Sequence, residues 1–501
     1  MATKKLKKLD IGPIMLIIFI SIALLILSFL LNKIGFKGYM TDAQTHQKTI
    51  VTVNNIFSKE GLKYIFGNSV FHFKMIEPIS ILIMSFIALS ILEASGLLNH
   101  LLKPFRNIKS NYITFIVLFV SMISTFFGDY CYALLLPLFG LVYKYLGRNP
   151  KNGIMISFVG ITMGYASGLF YNYQDIFLSD YSALAAQDVI SDFKYEPMSL
   201  IYIKIISTFI LAIVGTNVVD KKFNKKVRKS EADEEKFIES PTALKVTSVV
   251  FTLLIAFVIY SIIPGLPFSG LLLDQEDGLY ITKLLSDYAP FKEGHLLAIL
   301  AIAMICGYIY GRISRNIKNT REYNKSISKS FENTGFLFAI LFFYSIMLSI
   351  LEYTQIDDVI CLNLVEFMGS LEFNGLFLII PVFIICMLMT IFMPTTTDKW
   401  MILSPIMVPL LLRANISPAF SQMIFQSADS AGKCFSPIYI YFIVMLGLLY
   451  KHDDNGEEVK MFATMKKIAP ITLILTIVWL VIIVGWYLLG FKIGVNTYPT
   501  I

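Results

Sequence analysis

The sequence predicts an all-α polytopic membrane protein: about nine transmembrane helices plus two opposed re-entrant hairpins, arranged as an inverted repeat. Three observations predict it. Apolar residues make up 56% of the chain and the mean hydropathy is +0.68, which excludes a soluble globular protein. Apolar runs of roughly 17–25 residues recur along the whole length, each enough to cross ~30 Å of hydrocarbon. The chain also nearly repeats itself. Tyr132, Leu135, Pro137, Pro150, Met155, Ile156 and Gly164 stand opposite Trp400, Leu403, Pro405, Pro418, Met423, Ile424 and Gly432, at the constant offset of 268 that separates Trp400 from Tyr132. The tetrapeptide Ser-Ile-Leu-Glu occurs at Ser90–Glu93 and again at Ser349–Glu352.

The first apolar run, Ile11–Leu31, is too long for a signal peptide and lacks a small-residue cleavage site, so it reads as a retained helix. Lys4, Lys5, Lys7 and Lys8 before it place the N-terminus in the cytoplasm. Further basic loops are Lys103–Lys109, Arg148–Lys151, Lys221–Lys229, Arg312–Lys329 and Lys460–Lys467. They alternate with the acidic loops Asp175–Glu196, Asp274–Glu293 and Glu352–Glu372. Full crossings are expected near 12–32, 78–98, 154–172, 199–219, 244–264, 295–312, 334–351, 419–449 and 468–490, with the C-terminus external.

Two apolar segments do not fit simple crossing. Residues 111–146 lie between two basic loops and break at Phe126-Phe127-Gly128-Asp129-Tyr130, a polar hairpin tip. Residues 374–412 break at Met393-Pro394-Thr395-Thr396-Thr397-Asp398-Lys399 and, on the charge alternation, enter from the other side. The expected division is one transmembrane domain over 1–501. Its first repeat is 78–219, with hairpin 111–146 and broken helix 154–173. Its second is 335–490, with hairpin 374–412 and broken helix 419–449. The insert 220–243, basic then acidic, reads as a cytoplasmic linker, and the loop 33–77 as a small external cap.

Bare backbone at membrane depth is tolerated only where it is buried in protein or lines a cavity. The breaks are the two hairpin tips, Gly160–Tyr173 with Gly164 and Gly168, and Ser427–Pro437 with Gly432 and Pro437; Pro405 adds a further break in the second hairpin. Their ionisable side chains are Asp129, Asp398, Lys399, Asp429 and Lys433, each costly in a span and therefore a functional candidate. The plain alternatives are structural ion pairs; for Lys433 this is an i,i+4 pair with Asp429. Thr395, Thr396, Thr397, Ser427, Ser430 and Ser436 offer neutral oxygens to a carboxylate or Na⁺, or to their own helix backbone. Trp400 and Tyr132 suit stacking on an aromatic ligand or interior packing.

No GxxxxGK[ST] run, His-Glu-x-x-His set or Cys-x-x-Cys pair occurs, which argues against ATP coupling and bound metal. The five cysteines lack ligand spacing and read as buried free thiols, and the +7 charge is a loop-orientation signal with no nucleic-acid partner implied.

At the breaks the sequence resembles the AbgT family of p-aminobenzoyl-glutamate transporters. The resemblance runs through Leu92-Glu93-Ala94-Ser95-Gly96-Leu97-Leu98, Gly128-Asp129-Tyr130-Cys131-Tyr132 with Pro137, and Gly147-Arg148-Asn149-Pro150. It continues with Asp175, with Lys399-Trp400, Leu403 and Pro405, with Asp429-Ser430 and Pro437, and with Gly485–Gly490. It implies a homodimeric, elevator-type secondary transporter in the plasma membrane, with no cofactor and a proton or Na⁺ as coupling ion. Carried over by position, the family's site residues fall on Asp129, Lys399, Trp400, Pro405, Pro418 and Asp429. The departures are Gln426 for an Arg, and Thr125, Gly168 and Lys433 for Asn.

The expected function is secondary active transport of p-aminobenzoyl-glutamate or a related small anionic metabolite or antimetabolite. Asp129, Asp398 and Asp429 are candidates for the coupling ion. Thr395–Thr397, Lys399, Trp400, Gln426, Ser430 and Lys433 are candidates for substrate. Lys433 either replaces the lost Arg against a substrate carboxylate or places its ammonium where a coupling cation would bind. The alternatives are an elevator carrier of a dicarboxylate or fatty acid, a channel or scaffold, and, remotely, a membrane-embedded enzyme.

Overall fold

The computed structural model describes residues 12–501 apart from 42–46, 197, 224–236, 276–277, 287, 374 and 453–458. The N-terminal lysines at 4–8 and most of the expected linker 220–243 lie outside the described residues.

The chain opens with α1 (Pro13–Lys33), whose first position is a proline, where the missing N–H costs no intrahelical bond. The region expected only as a cap holds a small hairpin of β1 (Lys37–Thr41) and β2 (Lys48–Thr52), antiparallel with Tyr39 opposite Ile50, and then α2 (Lys59–Met75). Next come α3 (Glu77–Ala94), α4 (Leu97–Leu102), α5 (Ser110–Ile123), α6 (Tyr130–Tyr145), α7 (Pro150–Gly164), α8 (Tyr173–Gln187) and α9 (Ile201–Phe223). They are followed by α10 (Pro241–Ser261), α11 (Tyr280–Leu285), α12 (Pro290–Ile313) and α13 (Thr320–Ser330). The last part is α14 (Gly335–Thr354), α15 (Ile356–Gly369), α16 (Leu376–Phe392), α17 (Thr396–Arg413), α18 (Pro418–Lys433), α19 (Ile440–Lys451) and α20 (Met461–Leu489).

Among the described residues, eight stretches are long and apolar enough to cross a membrane, against nine expected. The expected crossing at 154–172 is α7, which stops at Gly164 and is short by itself. The one at 419–449 is two short helices, α18 and α19, interrupted between Lys433 and Ile440 around Pro437. Conversely Ser110–Phe127, expected as one arm of a hairpin, has a span's length and composition. Both expected hairpins are helix–turn–helix elements. The first turns through a 3₁₀ segment, Ser124–Phe127, and Gly128, which takes φ +65°. The second turns at Met393–Thr395. All five cysteines are free and buried.

The chain forms two compact units, one of residues 1–76, 178–203 and 333–501 and the other of 77–177 and 204–332. In the first, α16 and α17 both pack on α18, α18 packs on α20, and α14 lies against α1, α2 and α19. In the second, α5 and α6 pack on α7, and α3 lies against α6, α12 and α13.

Candidate functional site

Helix α18 begins with Ser417 accepting the Phe420 N–H and with Pro418 at its first position, and every one of its residues is buried. An ionised side chain on such a helix needs partners, because an uncompensated buried charge costs several kcal/mol. Asp429 has four. Lys399 Nζ lies 2.6 Å from its Oδ1 and Lys433 Nζ 3.3 Å from its Oδ2. The Thr396 hydroxyl donates to Oδ2 at 2.7 Å, and the Thr390 hydroxyl shares its proton between Oδ1 at 3.0 Å and the Cys386 carbonyl at 2.9 Å. Lys399 also donates to the Met393 carbonyl at 2.7 Å, and Lys433 to Thr396 Oγ1 at 2.5 Å. Thr396 therefore relays: its oxygen accepts from Lys433 while its proton goes to Asp429.

The hairpin turn supplies this arrangement. Ending α16 at Phe392 frees the Met393 carbonyl, and starting α17 at Thr396 puts Thr396 and Lys399 on the same face, one turn apart. Gly432 brings α18 close enough: a Cβ there would stand 2.6 Å from both the Met387 carbonyl oxygen and Thr390 Cβ. The cluster holds one carboxylate against two ammonium groups, a net charge of +1 in a buried setting. Chemically it suits an anionic partner or a proton exchange.

The other expected residues are distributed as follows. Trp400 is fully buried, stacks on Phe425 at 4.5 Å, and donates its indole N–H to the Leu178 carbonyl, so Phe425 takes one of the faces expected for a ligand. Thr395 and Asp398 are exposed, Thr397 is half-buried beside Asp398, and none of the three joins Asp429. Gln426 and Ser430 are buried on α18. Pro405 interrupts α17, while Ser436 in the break donates to the Ile391 carbonyl at 2.9 Å. Ser427 bonds to its own helix, at the Met423 carbonyl.

In the other unit, half-buried Asp129 immediately precedes α6, makes no side-chain capping bond to it, and accepts the Tyr165 hydroxyl. Gly164 presses on Met122, 2.7 Å from its Cα were a Cβ present. Gly168 takes φ +127° and donates its N–H to Thr208 Oγ1 at 2.7 Å. This unit also holds a fully buried ion pair, Lys204 with Asp175, at 2.7 and 2.6 Å to the two carboxylate oxygens. Asp175 and Asn172 cap each other's backbone N–H groups, which fixes the loop into α8. Sequence reasoning missed Lys204, Tyr165 and Thr390. For Lys204 the signal was available, as an ionisable residue inside an expected crossing; nothing in the sequence marked the other two.

The model of the AbgT putative transporter family matches residues 8–501. The chain is 24% identical over 495 residues to the p-aminobenzoyl-glutamate transport protein of Escherichia coli (strain K12), covering 97% of this chain and 94% of that one. Among solved structures it is similar to the Alcanivorax borkumensis YdaH transporter, at TM-score 0.50 and 22% identity over 97% of this chain and 100% of that one. It also matches Neisseria gonorrhoeae MtrF, from a class of antimetabolite efflux pumps, at TM-score 0.49 and 24% identity over 96% of each chain. The enzyme alternative is thereby set aside, and the chain belongs to the AbgT family of membrane transporters.

Proposed function

We propose that this transporter carries p-aminobenzoyl-glutamate or a related small anionic metabolite or antimetabolite, and that a proton gradient drives it. The observation that carries the reading is the net positive cluster of Lys399, Lys433 and Asp429. A substrate carboxylate entering it would neutralise the excess charge and take over one ammonium from Asp429. The donor set argues for the proton. Asp429, Thr396 and the Met393 carbonyl are oxygens of the kind Na⁺ prefers, yet two ammonium groups already engage them. A Na⁺ placed there would be repelled by both lysines, whereas a lysine can give up or accept a proton.

Asp129 with Tyr165 is a second proton-holding candidate in this reading, at the tip of the first hairpin. The inverted repeat, the opposed entry of the two hairpins and a homodimer whose scaffold stays fixed while hairpins move belong to the same proposal. They rest on the charge alternation, the 268-residue repeat and the family resemblance.

A second reading is a carrier of another carboxylate, a dicarboxylate or fatty acid. It is favoured by Trp400, whose stacking on Phe425 removes one aromatic platform while leaving the carboxylate-binding charge intact. Competition separates the two readings. Uptake of labelled p-aminobenzoyl-glutamate into proteoliposomes should be suppressed by excess unlabelled p-aminobenzoyl-glutamate and only weakly by succinate or a medium-chain fatty acid. The reverse order would favour the second reading, and no uptake by folded protein would reject the first.

A further inference from the structure

Helix α12 ends with Arg312 in its last turn, and Tyr308 lies one turn earlier, at the end of the apolar stretch Gly294–Ile313. The chain then turns into α13 through a capping box. Asn319 accepts the Glu322 N–H at 2.9 Å, and Glu322 accepts the Lys318 N–H at 2.7 Å. Between these elements lies a cavity of about 570 Å³ lined by Tyr308, Arg312, Lys318, Asn319, Thr320 and Tyr323.

The lining has a consistent chemistry. The Tyr308 and Tyr323 rings meet edge to face at 5.6 Å and form an aromatic wall. Arg312 is held by one nitrogen, Nη1, which donates to the Ile317 and Lys318 carbonyls, so its other guanidinium donors are available. The Lys318 ammonium and the Thr320 hydroxyl have no protein partner among the described residues. No acid is among the lining residues, and the neighbouring Glu322 is turned onto the Lys318 backbone N–H. The setting is also specific. Tyrosine at the end of a span is an interfacial residue, and α13 is strongly amphipathic, with Tyr323 and Ile327 partly covered and Arg321, Lys325 and Lys329 on its exposed side.

A guanidinium-, an ammonium- and a hydroxyl-bearing residue lining one cavity beside aromatic rings, at the end of an apolar span, match a phosphate group, an anion that Arg and Lys bind well. We propose that this cavity is a phosphate-binding site, filled by the headgroup of an anionic phospholipid or by a free phosphate. Its residues belong to a different compact unit from Asp429, and the proposal does not depend on the transport reading.

The test uses the full chain, purified in detergent. Native mass spectrometry would compare retention of phosphatidylglycerol with phosphatidylcholine, while thermal shift would follow inorganic phosphate. The variant is Lys318→Gln with Thr320→Ala, which leaves the Asn319–Glu322 capping box and the Arg312 carbonyl bonds in place. Phosphatidylglycerol is expected to be retained over phosphatidylcholine, with that preference lowered about fivefold in the variant. Stabilisation by inorganic phosphate that the variant loses would support the site and name the soluble source. Equal retention of both lipids with no phosphate effect would overturn the proposal. So would a phosphatidylglycerol preference that the variant leaves unchanged.

Discussion

In α5–α7, and again in α16–α18, a helix–turn–helix packs on a third helix through a glycine at one fixed place. Gly164 presses on Met122 in one region and Gly432 on Thr390 in the other, and both pairs are related by the same 268-residue offset. The third helix starts alike in both, Asn149 before Pro150 and Ser417 before Pro418, each side chain capping a backbone N–H. Aromatic Tyr132 and Trp400 are fully buried at matching positions. The chemistry on these matching backbones differs. The second region has Asp429 and Lys433 where the first has Ile161 and Tyr165. The first keeps a single carboxylate at its tip, Asp129, tied to the Tyr165 phenol, while the second gathers one carboxylate and two ammonium groups. Packing contacts are therefore matched between the regions, and charge is not.

The largest expected effect is on the charged region. Breaking a buried ion pair costs ~3–5 kcal/mol, so Asp429→Asn should lower coupled uptake on the order of a hundredfold while circular dichroism keeps its helix content. Normal uptake by that variant would remove the cluster from the transport site. Next come the glycines. Overpacking costs ~1–3 kcal/mol, so Gly432→Ala and Gly164→Ala should both lower the thermal midpoint. Gly432→Ala should lower uptake more, because the new methyl displaces Thr390 from Asp429; equal uptake by the two variants would erase the contrast. A smaller loss, about 1 kcal/mol, is expected for Tyr165→Phe, which removes one hydrogen bond from Asp129. A thermal midpoint as depressed as in Asp429→Asn would show that the two regions are equally charged in effect.

The smallest effect concerns α15, which packs against α17. Burial, with the Asp358 and Asp398 carboxylates nearby, pushes the Asp357 carboxyl up from 3.8 to about 7. The folded state thus holds this proton more tightly than the unfolded chain across that interval. Its stabilising share is present below pH 3.8 and lost as pH rises through about 7. Asp357→Asn should flatten the fall in thermal midpoint between those limits, and a slope identical to the parent would deny the shift.

Much of this is legible in the amino-acid sequence. Hydropathy marks most crossings, and Gly128 with Asp129 and Met393 with Thr395 mark the hairpin turns, because polar or glycine-rich breaks in apolar runs have few other uses. Asp429, Lys399 and Lys433 stand out for the same reason. What could not be read is pairing across the hairpin. Thr390 is one of many span hydroxyls, and only the close approach at Gly432 selects it. Asp398 is the converse: it sits in the same polar break, but its place on the first turn of α17 leaves it exposed while Lys399 is buried. The strands β1 and β2 escaped notice because short edge pairs of mixed polarity carry little periodic signal.

The central claim is that two ammonium groups occupy the place a coupling cation would take, so that a proton drives transport. The direct measurement is uptake of labelled p-aminobenzoyl-glutamate into proteoliposomes under a pH gradient and a Na⁺ gradient imposed separately, for the parent and for Lys433→Asn. The account predicts that a pH gradient in Na⁺-free buffer drives the parent, and that Lys433→Asn slows uptake and acquires a response to Na⁺. Uptake by the parent that needs Na⁺ and ignores the pH gradient would contradict it.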